Sequence, residues 1–126
     1  MSLNVKARLR LWDRAFLNGR AGNVNRATRL FIMRAYRAGL RVTSTTGGKH
    51  AATSYHYSGR AADVAGRHVD MVAFQRAEHT RRGRRYLELF GPDNDSCRKN
   101  GRPITLGEGS FLENLHDSHV HGACSR

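Results

Sequence analysis

Histidine and aspartate bind divalent metals through nitrogen and oxygen, and this chain gathers them in two short stretches. The first runs His56-Tyr-Ser-Gly-Arg-Ala-Ala-Asp63; the second, His116-Asp-Ser-His-Val-His121, holds three of the seven histidines. In an extended strand, side chains two apart share a face, so His119 and His121 point at one centre while Val120 turns into the core. Catalytic zinc takes three protein ligands and leaves a fourth position for water. His56, Asp63 and one of the His119/His121 pair supply three donors, and the remaining histidine is free to act as a base. Such a centre lowers the pKa of its water toward about 7 and polarises a carbonyl, while the histidine passes a proton to the leaving amine. The chemistry these residues point to is hydrolysis with one zinc per chain. Gly59 permits the tight turn that returns His56 toward Asp63, and Ala61, on the face of Asp63, leaves room for an ion. His50, His68, His79 and His116 read as solvated or structural, with His116 bordering the site.

Two chain segments far apart in sequence must then be brought together. Apolar residues at Val24, Ala27, Leu30, Phe31, Ala35 and Ala38 predict a helix closed by Gly39. Leu40 to Thr46 is β-branched and alternating, hence a strand, followed by a Gly47-Gly48 loop. A turn at Ser58-Gly59 leads into a short apolar strand ending near Ala65. A second helix is expected over 69–82, a strand over 86–90, a turn at 92–96, a short strand over 102–106, a polar link at 107–110 and a closing extended segment over 116–123. This order predicts an α+β fold, a small, mostly antiparallel sheet flanked by helices. Residues 3–17 mix apolar and basic residues at helical spacing, so residues 1–23 are expected to form a basic amphipathic helix packed on a domain spanning 24–126.

The chain has 126 residues, enough for one domain with a modest core, and its 22 Lys and Arg against 10 Asp and Glu give a formal charge of +12. Such a surface attracts polyanions, nucleic acid and anionic wall polymers alike. A specific nucleic-acid module is not expected, since the chain lacks an RNP-like aromatic motif, zinc-finger spacing or a recognition helix. No run of about 18 apolar residues marks a membrane span, and no apolar h-region marks a secretory signal, so synthesis in the cytoplasm is expected. Cys97 and Cys124 lack CxxC spacing and read as free thiols.

The pattern Ser54-x-His56-x-x-Gly59-x-Ala61-x-Asp63, followed by His119-x-His121, resembles the zinc peptidases of bacterial cell walls. That group includes D-alanyl-D-alanine carboxypeptidases, the vancomycin-resistance D,D-dipeptidase, phage L-alanyl-D-glutamate endolysins and the hedgehog signalling domain that shares their fold. The resemblance spans about residues 24 to 123 and implies that fold, with His56, Asp63 and His121 as zinc ligands and His119 as general base. Members that use a carboxylate base carry it three residues before the last ligand, where this chain has Ser118, so Asp117 stands as the alternative base or as an orienter of His119. Ser54 is either a turn residue or, by resemblance, a donor to substrate. Lys49 and Arg60 are the cations placed to meet a substrate carboxylate. The stretch Thr45-Thr-Gly-Gly-Lys49 lacks the Gly-Tyr-Arg form of the exopeptidases, which favours cleavage within the peptidoglycan stem over a D-Ala-D-Ala carboxypeptidase or dipeptidase. A monomeric phage-type lysin or virion component acting on the wall is the expectation; the alternative is a non-catalytic basic domain that binds metal or nucleic acid.

Overall fold

The computed structural model describes residues 24–45, 55–56 and 59–124. The expected helix within residues 1–23, the Gly47-Gly48 loop, Lys49 and Ser54 lie outside the described residues. Helix α1 (Arg26–Arg37) starts where the Asn25 side chain accepts from the Thr28 amide at 2.9 Å, and it ends at Ala38 before Gly39, whose φ of +88° suits only a residue without a Cβ. Its buried face is Thr28, Phe31, Ile32 and Ala35, a stripe rotated from the expected one because Ile32 goes inward and Leu30 does not.

The strands are β1 (Arg41–Ser44), β2 (Ala61–Ala65), β3 (Tyr86–Phe90), β4 (Cys97–Lys99), β5 (Arg102–Ile104) and β6 (Val120–Cys124). They form one six-stranded sheet in the order β1-β2-β6-β3-β4-β5, every pair antiparallel. Helix α2 (His68–Arg82) lies between β2 and β3 in sequence, with a 3-10 turn at Gly83–Arg85, and the short helix α3 (Phe111–His116) precedes β6. The chain is therefore α+β, as its pattern of periods implies.

Strand alternation divides the sheet into two unlike faces. Ala62 and Val64 of β2, Leu89 of β3, and Val120 and Cys124 of β6 join Phe31, Ile32 and Ala35 of α1 and Met71 and Phe74 of α2 in one core. The aromatic centre is Phe31, 5.4 Å from Phe74 and 6.0 Å from Tyr86 between ring centroids. Gly122 lies under that ring: a Cβ there would stand 2.7 Å from Phe31. The residues between these, Asp63, Glu88, Phe90 and His121, project from the opposite face. Both α1 and α2 cover the first face; beside the polar groups of the second, Phe90 packs in a smaller apolar cluster with Cys97, Leu106, Ile104 and Leu112.

Helix α2 also carries two buried polar side chains. Gln75 donates to the carbonyls of Asp93 and Ser96 and accepts from the Asp93 amide, which pins the 91–96 loop. Glu78 takes Arg34 at 2.7 Å and the Tyr86 hydroxyl at 2.5 Å, so its buried charge is matched by a cation and a hydroxyl donor. Cys97 and Cys124 are free and buried, and burial pushes their thiols up to about 11 and about 12. Among the described residues no helix is long and apolar enough to cross a membrane.

Two elements differ from expectation. Residues 116–123 are not one extended segment: α3 takes His116, the chain turns at Asp117 to His119, and the strand begins only at Val120. Ser110 caps α3 by accepting from the Glu113 amide at 3.3 Å, and Glu113 reaches back to the Gly109 amide at 2.9 Å. Strand β4 has three residues, too few for alternation to be visible in sequence.

Candidate metal centre

Three elements converge on the open face. β2 and β6 are paired so that Asp63 sits directly opposite His121, and two residues opposed across antiparallel strands point the same way. His56 arrives from the turn before β2. That turn closes through the Gly59 amide on the His56 carbonyl at 3.1 Å and the Arg60 amide on the Tyr55 carbonyl at 3.0 Å, with Gly59 at φ +71°. The small residues in the sequence pattern thus serve to fold His56 back over its own strand.

His56 Nε2, Asp63 Oδ1 and His121 Nδ1 form a triangle with edges of 3.2, 3.2 and 2.9 Å. Tetrahedral zinc with bonds of about 2.0–2.2 Å holds its ligand atoms roughly 3.3–3.6 Å apart. The donors therefore fit such an ion after moving outward by a few tenths of an ångström. His56 and His121 are buried and Asp63 is half-buried, and these three are the metal-capable group found among the described residues.

The second nitrogen of each imidazole is also held. His56 Nδ1 donates to the Thr45 carbonyl at 2.7 Å, which points Nε2 at the triangle. His121 Nε2 donates to Glu88 Oε1 at 3.0 Å, which directs Nδ1 inward. A metal-binding histidine characteristically gives its other N–H to a carboxylate or carbonyl, which fixes tautomer and ring orientation. Glu88 was not singled out from the sequence; its signal is a carboxylate inside the otherwise apolar strand Tyr86–Phe90.

The electrostatics are those of a tightly coupled cluster. Burial opposes charge on Asp63, but hydrogen bonds from His121 and His56 overcome it and hold the carboxyl far below its ordinary range. Burial likewise opposes an imidazolium at His121, yet Asp63 and Glu88 on either side raise it to about 9. Glu88 is lowered by its bond from His121. Without an ion, His121 is an imidazolium between two carboxylates, and a metal must displace its Nδ1 proton.

His119 lies at the rim, its Nε2 3.9 Å from Asp63 Oδ1 and its side chain 21% exposed; burial lowers its pKa. It faces the cluster from the turn rather than from the strand. Asp117 follows the last residue of α3, exposed, and acts on His119 only through space. Arg60 is exposed at the entry to β2, where its backbone carbonyl accepts from the Cys124 amide, and no bond ties its side chain to the cluster.

His116, read from sequence as solvated or structural at the border of the site, joins the site wall. Its ring is 4.7 Å from Phe90, 5.2 Å from His119 and 5.6 Å from His121. Nδ1 donates to the Leu112 carbonyl at 2.9 Å, and burial drives the imidazole down to about 4, so it is a neutral ring. Phe90 stacks on His121 at 5.8 Å, giving the site an apolar floor on one side. Compared with known proteins, the chain matches no family model, no curated protein and no solved structure.

Proposed function

We propose that this chain is a zinc-dependent peptidase acting on a peptide bond in the stem or cross-link of bacterial peptidoglycan. The observation that carries the metal part is the paired orientation of His56 and His121, each with one nitrogen tied to an oxygen acceptor and the other turned on Asp63. A zinc ion held by these three residues would supply a water of low pKa and an electrophile for the scissile carbonyl. His119 at the rim is placed to take a proton and return it to the leaving amine, and His116 with Phe90 walls off one side from solvent. The peptidoglycan part rests on the resemblance of the Ser54-to-Asp63 and His119-to-His121 patterns to wall peptidases. Ser54 and Lys49 keep their proposed substrate roles, and Arg60, exposed at the turn, can reach only a substrate that extends beyond the cluster.

A second reading has an observation of its own. The chain Asp63–His121–Glu88 closes by hydrogen bonds without an ion, so the cluster could be a structural imidazolium bridge joining three strands. Mass spectrometry of purified peptidoglycan after incubation with the zinc-loaded protein separates the two. New amino and carboxyl termini in the stem peptide are expected and name the bond. Intact peptidoglycan, with zinc absent from the protein by metal analysis, would establish the bridge instead.

A further inference from the structure

A second concentration of charge lies on the opposite face of the sheet. At the end of α2 a cavity of about 400 Å³ is lined by His79, Arg81, Arg82, Arg84, Arg85 and Arg98. Arg98 comes from β4, where it pairs with Leu89, and so it projects on the helix-covered side, away from His121.

This corner is built rather than merely crowded. The Arg98 guanidinium donates to the Gly101 carbonyl at 3.0 Å and crosses Gly83 so closely that a Cβ there would stand 2.7 Å from it. Glycine at 83 is what lets the arginine lie over the turn. Arg98 Nε and His79 Nδ1 are buried with no hydrogen-bond partner among the described residues, an expense a fold rarely leaves unrelieved. Cations at a helix C-terminus favour the helix dipole, which accounts for Arg81 and Arg82. It does not account for Arg98, which belongs to another element, nor for the unpaired nitrogens. Glu78, which meets Arg82 of this corner only at 3.4 Å, is already engaged by Arg34 and Tyr86.

We infer that this cavity binds phosphate groups of a phosphodiester-linked polyol polymer of the bacterial wall. Fork-shaped guanidinium groups from two elements match tetrahedral phosphate oxygens. The phosphate chemistry stands on the cavity alone, whereas the choice of a wall polymer rests on the peptidase reading. A cavity of this size admits one or two phosphates of a slender chain, while a nucleic-acid duplex presents its phosphates on a broad convex surface. Single-stranded nucleic acid is held by stacking bases on aromatic side chains. The exposed large hydrophobic residues among those described, Val69, Phe111 and Leu115, do not line this cavity. The polymer would hold the protein on the wall by one face and leave the histidine cluster on the other free to meet peptide.

The test is calorimetric titration of the full chain with soluble poly(glycerol phosphate) and, in parallel, with a single-stranded oligonucleotide of equal charge. Arg81→Ala/Arg84→Ala/Arg98→Ala is compared with Arg26→Ala/Arg29→Ala/Arg41→Ala, which removes the same charge elsewhere. The first variant should lose about tenfold or more in polymer affinity and show a shallower salt dependence, while the second changes little. The exposed pair Arg81→Ala/Arg84→Ala alone should show part of the loss, which keeps the test valid if the Arg98 substitution disturbs folding. Equal losses in the two triple variants would overturn the site in favour of diffuse charge. An oligonucleotide held as tightly as the polymer through the same arginines would overturn the choice of partner. Zinc content and hydrolysis of polymer-free peptidoglycan should be unchanged in these variants. If no protein hydrolyses it, the wild type included, the peptidase reading fails while the phosphate binding is still measured.

Discussion

At His121 two carboxylates meet one imidazole, and their unequal positions give them different work. Asp63 shares the inner nitrogen with the metal position, whereas Glu88 bonds only the outer one at 3.0 Å and sets the direction of the ring. Glu88→Gln keeps an acceptor there but removes the charge that makes the imidazole a better donor to metal. Zinc affinity should fall by about 10- to 100-fold, read by competition with a chromophoric chelator. An unchanged affinity would mean that Asp63 alone orients His121. At the rim, His119→Ala should keep its zinc while hydrolysis falls by about 10²-fold or more. Asp117→Asn should cost less, since Asp117 is exposed and touches His119 only through space. Zinc content and peptidoglycan hydrolysis, taken side by side, separate the roles: an inactive Asp117→Asn with zinc retained and an active His119→Ala would make the carboxylate the base.

Among the elements, β6 decides whether the site exists, because it places His121 between Asp63 of β2 and Glu88 of β3. Its depth in the sheet is set by Gly122, whose missing side chain is filled by the Phe31 ring. Gly122→Ala must push the ring or the strand by several tenths of an ångström, an overpacking that costs about 1–3 kcal/mol. Urea denaturation should show that loss together with weaker zinc binding; full stability would mean that Phe31 yields freely and does not position the strand. The same elements show what could be read from residues alone. A period-3.6 stripe marks α1, alternation marks β1 and β3, and a short apolar run marks β2, because each buries a face against a shared core; α2 is marked by the arginines at its end. His56, Asp63 and one histidine of the His119/His121 pair were legible from residue type and spacing, and the choice of His121 rested on the resemblance. Helix α3 was not, since Phe111 and Leu115 face outward and Leu112 alone packs inward, too little to make a stripe. The Ser110-x-x-Glu113 capping pair is its trace in the sequence, and without the helix His116 reads only as bordering the site rather than walling it. Glu88 stayed hidden because its value depends on a strand pairing between residues 33 apart in sequence.

On the scale of the whole molecule, the sheet separates a helix-covered side, with an arginine-lined corner at the end of α2, from an open face that gathers histidine and carboxylate. On the open face the site is tied together by polar contacts beside a small apolar cluster of Phe90, Cys97, Leu106, Ile104 and Leu112. His56 from the turn, Asp63 from β2 and His121 from β6 are joined across 58 and 65 positions of chain by bonds near 3 Å. An ion at their centre would crosslink these segments, and it would bind the folded chain alone, because the unfolded chain has no such triangle. Zinc at about 100 times its dissociation constant should therefore add about 2.7 kcal/mol of stability. For a domain of this size that is a rise in melting temperature on the order of 10 °C. His56→Ala should lose the rise, because two remaining ligands cannot hold the ion at that concentration, while its metal-free melting temperature shifts by a smaller amount. Differential scanning calorimetry with and without zinc measures both. A rise of the same size in His56→Ala would place the ion on other histidines and sever the link between this triangle and metal.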